Sequence, residues 1–237
     1  MDQLLIALDV DTGIRALTLA DELRGAAGGF KIGSRLFTAE GPSVVKALVD
    51  RGDRVFLDLK FHDIPSVVAA AVQAASDLRV WMITVHASGG AEMLRAAHEA
   101  ARSTPHGPLV VAVTVLTSLE STGLGELGIT RPVLEQVDAL ARLAQKTGLD
   151  GVVASPWETA RVRQSCGPAF TIVTPGIRSG RESGRTDTRG RRDDQARTLS
   201  AAAAMRAGAN YLVVGRPIIA AENPRAAAEQ IGRELTE

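Results

Sequence analysis

The chain has 237 residues, 45% hydrophobic and 23% charged, with 27 basic and 27 acidic residues that balance to a net charge of zero. A chain of this length suits one large α/β domain or two small ones, and its composition supports a sizeable core. Zero net charge excludes a general attraction for nucleic acid or anionic membrane, and Cys166 as the single cysteine excludes an intrachain disulfide or a thiolate metal cluster.

The first apolar run, Leu4–Leu8, is too short for a signal peptide, and Met1-Asp2-Gln3 puts no basic segment before it, so a cytoplasmic protein is the expectation. It reads as a buried strand closing on Asp9, and the Ala-rich amphipathic run Gly13–Leu23 follows as a helix. Further strand-like runs fall at Phe30–Ile32, Val55–Leu59, Val80–Val85, Leu109–Leu116, Gly151–Ala154, Phe170–Val173 and Tyr211–Val214. Helical runs lie between them at Gly41–Asp50, Ser66–Ala75, Ala91–Ala101, Arg131–Thr147, Trp157–Gln164 and Ala196–Ala207. None of the apolar runs can span a bilayer. Strands alternating with helices predict a parallel sheet covered by helices, and eight such units predict a single closed (β/α)8 TIM barrel. An open doubly wound sheet is disfavoured, because no G-x-G-x-x-G opens a helix. From 178 to 197 the chain is rich in Gly, Ser, Arg and Asp, and so long an irregular segment in one compact domain predicts a lid.

In such barrels chemistry sits where the strands end. Those positions are Asp9, Lys31, Asp58 with Lys60, His86, Thr117, Ser155, Pro175 with Arg178, and Gly215 with Arg216. The third strand is the most informative. Side chains alternate along a strand, so Asp58 and Lys60 share a face, and two charges at the end of an apolar strand must pair. With Asp63 following, an ammonium between two carboxylates keeps its charged form and becomes a candidate proton donor. Lysine usage points the same way. Of 27 basic residues only Lys31, Lys46, Lys60 and Lys146 are lysines, and Lys31 and Lys60 sit at strand ends. Pro65 suits the first turn of the next helix, and Ser66 can cap it. At the far end of the chain, the Gly215 turn can offer backbone N–H groups to an anion, where barrels often hold phosphate. His62, His98 and His106 lack metal-ligand spacing, and His86 reads as a structural histidine hydrogen-bonded near its strand end, with a catalytic base as the alternative.

The run D-L-K-F-H-D-I-P, Asp58 to Pro65, resembles the signature of the orotidine 5′-phosphate decarboxylase family. Its Asp-x-Lys-x-x-Asp core is also similar to a wider suprafamily that includes the 3-keto-gulonate 6-phosphate decarboxylases. Thr174-Pro175-Gly176-Ile177-Arg178 resembles the start of the family's lid, and Asp193-Asp194-Gln195 its D-Q pair. Val213-Val214-Gly215-Arg216-Pro217-Ile218 resembles the family's phosphate-binding end. Leu8-Asp9, Phe30-Lys31-Ile32-Gly33, Thr84-Val85-His86 and Leu116-Thr117-Ser118 are similar to further blocks, so the resemblance covers nearly the whole chain.

The resemblance implies conversion of orotidine 5′-phosphate (OMP) to UMP and CO₂ in pyrimidine biosynthesis, without cofactor or metal. It implies catalysis by Lys60, Asp58 and Asp63, in a two-fold homodimer whose Asp63 enters the partner's active site. Asp9 and Lys31 are implied to contact ribose, and Thr117, with Ser118 as the neighbouring alternative, the pyrimidine. Gln195, Gly215 and Arg216 are implied to hold the phosphate, while Ile64, Pro175 and Arg178 fall within the same substrate-binding blocks. A lysine at Lys31, where the keto-gulonate enzymes carry a metal-binding glutamate, argues against a metal. The chain departs from the family at Ser66-Val67, where I-P-N-T is usual, and in the basic loop through Arg181, Arg185, Arg189, Arg191 and Arg192. Two rivals follow: a metal-dependent sugar-phosphate lyase, and a non-catalytic nucleotide-binding barrel.

Overall fold

Strands buried on both faces must be covered on both, and a closed ring of parallel strands inside a ring of helices does this without leaving an edge. The computed structural model, which describes residues 1–177 and 199–235, has this form. Its strands are β1 (Leu4–Ala7), β2 (Gly29–Gly33), β3 (Val55–Phe61), β4 (Met82–His86), β5 (Leu109–Val113), β6 (Gly151–Val153), β7 (Thr171–Thr174) and β8 (Tyr211–Val214). They pair in chain order, all parallel, and Leu4 opposite Leu212 closes β1 onto β8. This is the (β/α)8 barrel that the alternation predicts.

The helices are α1 (Gly13–Leu23), α2 (Ser34–Glu40), α3 (Pro42–Val49), α4 (Pro65–Asp77), α5 (Gly90–Arg102), α6 (Ser121–Glu126), α7 (Val133–Lys146), α8 (Pro156–Cys166), α9 (Ala201–Arg206), α10 (Arg216–Ile219) and α11 (Pro224–Glu234). Among the described residues, no helix is long and apolar enough to cross a membrane.

Period two sorts the strand side chains into two cores. Leu4, Ile6 and Leu8 pack outward under the helices. Leu5, Ala7, Phe56, Met82, Val111, Val173 and Val213 fill the barrel interior. Trp81 meets Tyr211 edge-on at 5.0 Å below that interior, and the Arg54 guanidinium lies 3.9 Å over the Trp81 ring. The floor of the barrel is therefore plugged by edge-on rings and a cation, and the mouth lies at the opposite end.

Several boundaries differ from the sequence reading. The fifth strand stops at Val113, not Leu116, because β6 is only three residues long and its last residue, Val153, already faces Val113. Thr114 instead turns both its N–H and its hydroxyl to Val153 O, at 3.3 and 2.9 Å. The helical run expected from Gly41 is α3, which Pro42 starts, and α2 before it is an additional helix, separated from α3 by Gly41 at φ 66°. Ser66 caps nothing. Helix α4 starts one residue earlier, at Pro65, with Ile64 at the cap position and no side-chain bond. Helix α9 starts at Ala201 behind its Ser200 cap, and α6, α10 and α11 are additional. The segment read as a lid, 178–197, lies outside the described residues.

Candidate active site

The interior residues set the direction of the side chains above them. Lys31 is paired in register with Ala7 and Phe56, both interior, so it points inward as they do. Asp58 lies two residues beyond Phe56, and Thr84 two beyond Met82, so both also face the mouth. A line of alternating charge results. Lys31 Nζ is 3.2 Å from Asp9 Oδ1 and 3.5 Å from Asp58 Oδ2, and Lys60 Nζ is 2.9 Å from Asp58 Oδ1. Gly33 makes room for it. A Cβ there would lie 2.9 Å from Lys31 Nζ and 3.4 Å from Asp9 Oδ1.

Asp58 and Lys60 do not meet through a regular pleat, as strict alternation would have it. The pairing of β3 with β4 slips between Leu57 and Phe61, and Lys60 takes φ 55°, in the left-handed region. For a residue with a Cβ that conformation costs about 1–2 kcal/mol. The Lys60 N–H donates at 2.8 Å to the hydroxyl of Thr84, which in turn donates at 3.0 Å to Asp58 Oδ1.

Asp58 is the anion at the centre of this network. Burial by itself raises its pKa, but the ammoniums of Lys31 and Lys60, with hydrogen bonds from Lys60 and Thr84, outweigh burial and hold it below the ordinary value. A buried carboxylate thus stays charged beside the Lys60 ammonium at the mouth, an arrangement able to oppose one negative charge and deliver a proton to another.

Asp63 stands apart from it. It is exposed, its Oδ1 accepts from Ile64 N–H at 2.7 Å, and among the described residues it forms no ion pair with Lys60. The reading that sets Lys60 between two carboxylates of one chain is corrected accordingly. Beside Asp63, Ile64 is 62% and Val67 46% exposed, unusual for apolar side chains at a helix start.

The remaining described candidates follow the ends of their strands at the same mouth. Thr117 sits half-buried in the turn after β5, with Ser118 exposed beside it. Pro175 follows β7, and just beyond it Ile177 bridges Leu199. Gly215 follows β8 and precedes Arg216, the exposed first residue of α10. A Cβ on Gly215 would lie 3.7 Å from Asp9 Oδ2, so this turn adjoins the charge line. Arg178 and Gln195 lie outside the described residues. His86 is not the hydrogen-bonded structural histidine expected: its Nδ1 is buried without a partner, and its ring packs 5.4 Å from that of His62. Burial first, then His62 and Lys60, push its imidazole below the ordinary pKa against the opposing pull of Asp58.

One contributor, Thr84, escaped the sequence reading, and the strand-end candidate Ser155 is engaged within its own helix start. Thr84 looks like any β-branched strand residue, and only the slip in β3 gives its hydroxyl two partners. Ser155 is buried at the end of β6 with its N–H and hydroxyl both taken by Glu158, a capping box that S-P-W-E could have signalled. Among the described residues, no group of three or more His, Cys, Asp or Glu is placed to hold a metal ion.

Comparison with known proteins places this site in context. Residues 2–231 match the family described as orotidine 5′-phosphate decarboxylase / HUMPS. The chain is 49% identical to the orotidine 5′-phosphate decarboxylase of Moorella thermoacetica, over 99% of this chain and 92% of that protein. It is 47% identical to the enzyme of that name from Saccharophagus degradans, over 98% and 94%. The crystal structure of the Lactobacillus acidophilus enzyme of the same name superposes with a TM-score of 0.85 at 33% identity, covering 99% of both chains.

Proposed function

The chain belongs to the orotidine 5′-phosphate decarboxylase / HUMPS family and is a carboxy-lyase; from that premise we propose that it converts OMP to UMP and CO₂, with Lys60 as the proton donor. The observation that carries the reading is the Lys60 ammonium, 2.9 Å from a buried, anionic Asp58 at the mouth of the barrel.

In this reaction the bond from C6 of the pyrimidine to its carboxylate breaks, and the electron pair stays on C6. No neighbouring carbonyl delocalises that pair well, so the protein must stabilise charge at one carbon. The Lys60 ammonium supplies a fixed positive charge there, a preorganised term that grows in a site shut off from water. It then transfers a proton to C6, making the C–H bond of UMP, and the neutral amine regains a proton from solvent. Asp58 lies close to the departing carboxylate and disfavours the bound substrate more than the transition state. Lys31 keeps Asp58 anionic from the other side, and with Asp9 meets the ribose hydroxyls.

Thr117 contacts the pyrimidine, Ile64, Pro175 and Arg178 belong to the same substrate-binding blocks, and Gly215, Arg216 and Gln195 hold the phosphate. Binding energy at that remote phosphate serves the chemical step. The enzyme works as a two-fold homodimer, each Asp63 entering the partner's site. The exposure of Asp63, Ile64 and Val67 supports this arrangement.

The test is an absorbance assay with OMP on the purified protein before and after exhaustive dialysis against EDTA. Turnover to UMP that survives dialysis is expected. UMP binding without turnover would indicate a non-catalytic barrel, and recovery of lost activity by Mg²⁺ would indicate a metal-dependent sugar-phosphate lyase.

A further inference from the structure

We propose that Thr84 is a positioning residue for this decarboxylation, its one hydroxyl fixing the Asp58 carboxylate and the Lys60 backbone relative to each other. The inference rests on the reading of Lys60 as proton donor.

Thr84 is fully buried in β4 and faces the barrel interior. A threonine hydroxyl has one proton and two lone pairs. Here the proton goes to Asp58 Oδ1 at 3.0 Å, and a lone pair accepts the Lys60 N–H at 2.8 Å. Lys60 Nζ reaches the same Oδ1 at 2.9 Å. The contacts close a ring: Lys60 amide to Thr84 hydroxyl, hydroxyl to Asp58, and Asp58 back to the Lys60 ammonium. Lys60 is thus held at both ends, by its backbone and by its charged tip.

The backbone end needs the help. Lys60 sits where the β3–β4 pairing slips, in a left-handed conformation that a lysine does not choose on its own. The Thr84 hydroxyl stands in for a sheet partner at that point, so its loss frees the peptide that aims the ammonium. Valine has nearly the same shape but offers neither donor nor acceptor, whereas serine keeps both.

The experiment compares Thr84→Val and Thr84→Ser with the wild-type dimer, reading kcat and KM for OMP, the dissociation constant of UMP, and Tm. Thr84→Val should lower kcat on the order of a hundredfold, the scale of an ångström-sized misplacement. UMP affinity should stay within about threefold, since product binding does not use the aimed proton, and Thr84→Ser should keep kcat within about threefold. Should Thr84→Val not fold, Thr84→Ala carries the same expectation. The inference is overturned if the hydroxyl-free variant keeps kcat within about threefold, if Thr84→Ser falls as far as it does, or if kcat and UMP affinity decline together as in general damage to the fold. Lys60→Ala in the same assay separates the two claims. Its retaining turnover would sink the proton-donor reading itself, whereas an inactive Lys60→Ala beside a normal Thr84→Val would sink only the role of Thr84.

Discussion

Lys60 places its ammonium 2.9 Å from Asp58 Oδ1 while its own backbone stands at φ 55°. Left-handed residues with side chains are retained only where their surroundings over-determine them, and such outliers gather at sites of function. Here the surroundings are the slip in β3, the Thr84 hydroxyl and the Asp58 carboxylate. Asp58 in turn is shared with Lys31, so the state of this one carboxylate governs two ammoniums.

That sharing has a pH signature. The folded Asp58 carboxyl lies below its ordinary 3.8, so its contribution to stability is fully present above that value and is lost as pH falls through the lower folded one. The Tm gap between wild type and Asp58→Asn should be steady from about pH 7 to 5 and close below about pH 4. A gap that widened on acidification would contradict the sign of the shift.

Gly33 tests the other end of the charge line. Its φ of −97° suits any residue, so alanine there changes only the space available. The added Cβ would lie 2.9 Å from Lys31 Nζ, and Lys31 must swing away from Asp9. Gly33→Ala should lower kcat/KM about tenfold while Tm moves by no more than about 4 °C. An unchanged kcat/KM would show that the exact seat of Lys31 is immaterial.

The barrel and the inward direction of Lys31 and Asp58 were legible in the sequence, because period two and strand-end polarity are local signals. The conformation of Lys60 was not. Alternation predicts the right neighbour for it by the wrong geometry, since the slip in β3 depends on how β4 pairs. The stop of β5 at Val113 was hidden for the same reason, being set by the shortness of β6. Asp63 was readable as a residue of the signature, but its separation from Lys60 comes from the turn into α4, which begins at Pro65 and not at the Ser66 cap expected. The helix after Gly41 was legible, whereas the short α2 before it was not.

Arg163 gives a prediction about the fold alone. From α8 its guanidinium donates to the carbonyls of Gly167, Phe170 and Gly208 and to Asn210 Oδ1, tying together the entries to β7 and β8. Arg163→Ala strands these acceptors and should destabilise the protein by about 2–4 kcal/mol. Arg163→Lys should recover little, because one ammonium cannot reproduce the fork. Well below the melting temperature both variants should keep wild-type kcat/KM, since these contacts lie at the opposite end of the barrel from Lys60. Chemical denaturation beside steady-state kinetics checks both parts.

Assembly is tested by mixing two dead variants. Lys60→Ala and Asp63→Ala homodimers should each be nearly inactive. After reversible dissociation and mixing, half the dimers are hybrids, and each has one site with both residues intact. About a quarter of wild-type activity should return by this symmetry. If hybrids form and no activity returns, Asp63 acts within its own chain.

The proton-donor role of Lys60 is tested most directly by Lys60→Ala, assayed for OMP turnover and, in parallel, for UMP binding. The account predicts that turnover falls to the limit of detection while the dissociation constant of UMP stays within about threefold, because the ammonium acts on the transition state. Turnover within about tenfold of wild type would contradict it, since a lost proton donor and its fixed charge are worth more than that.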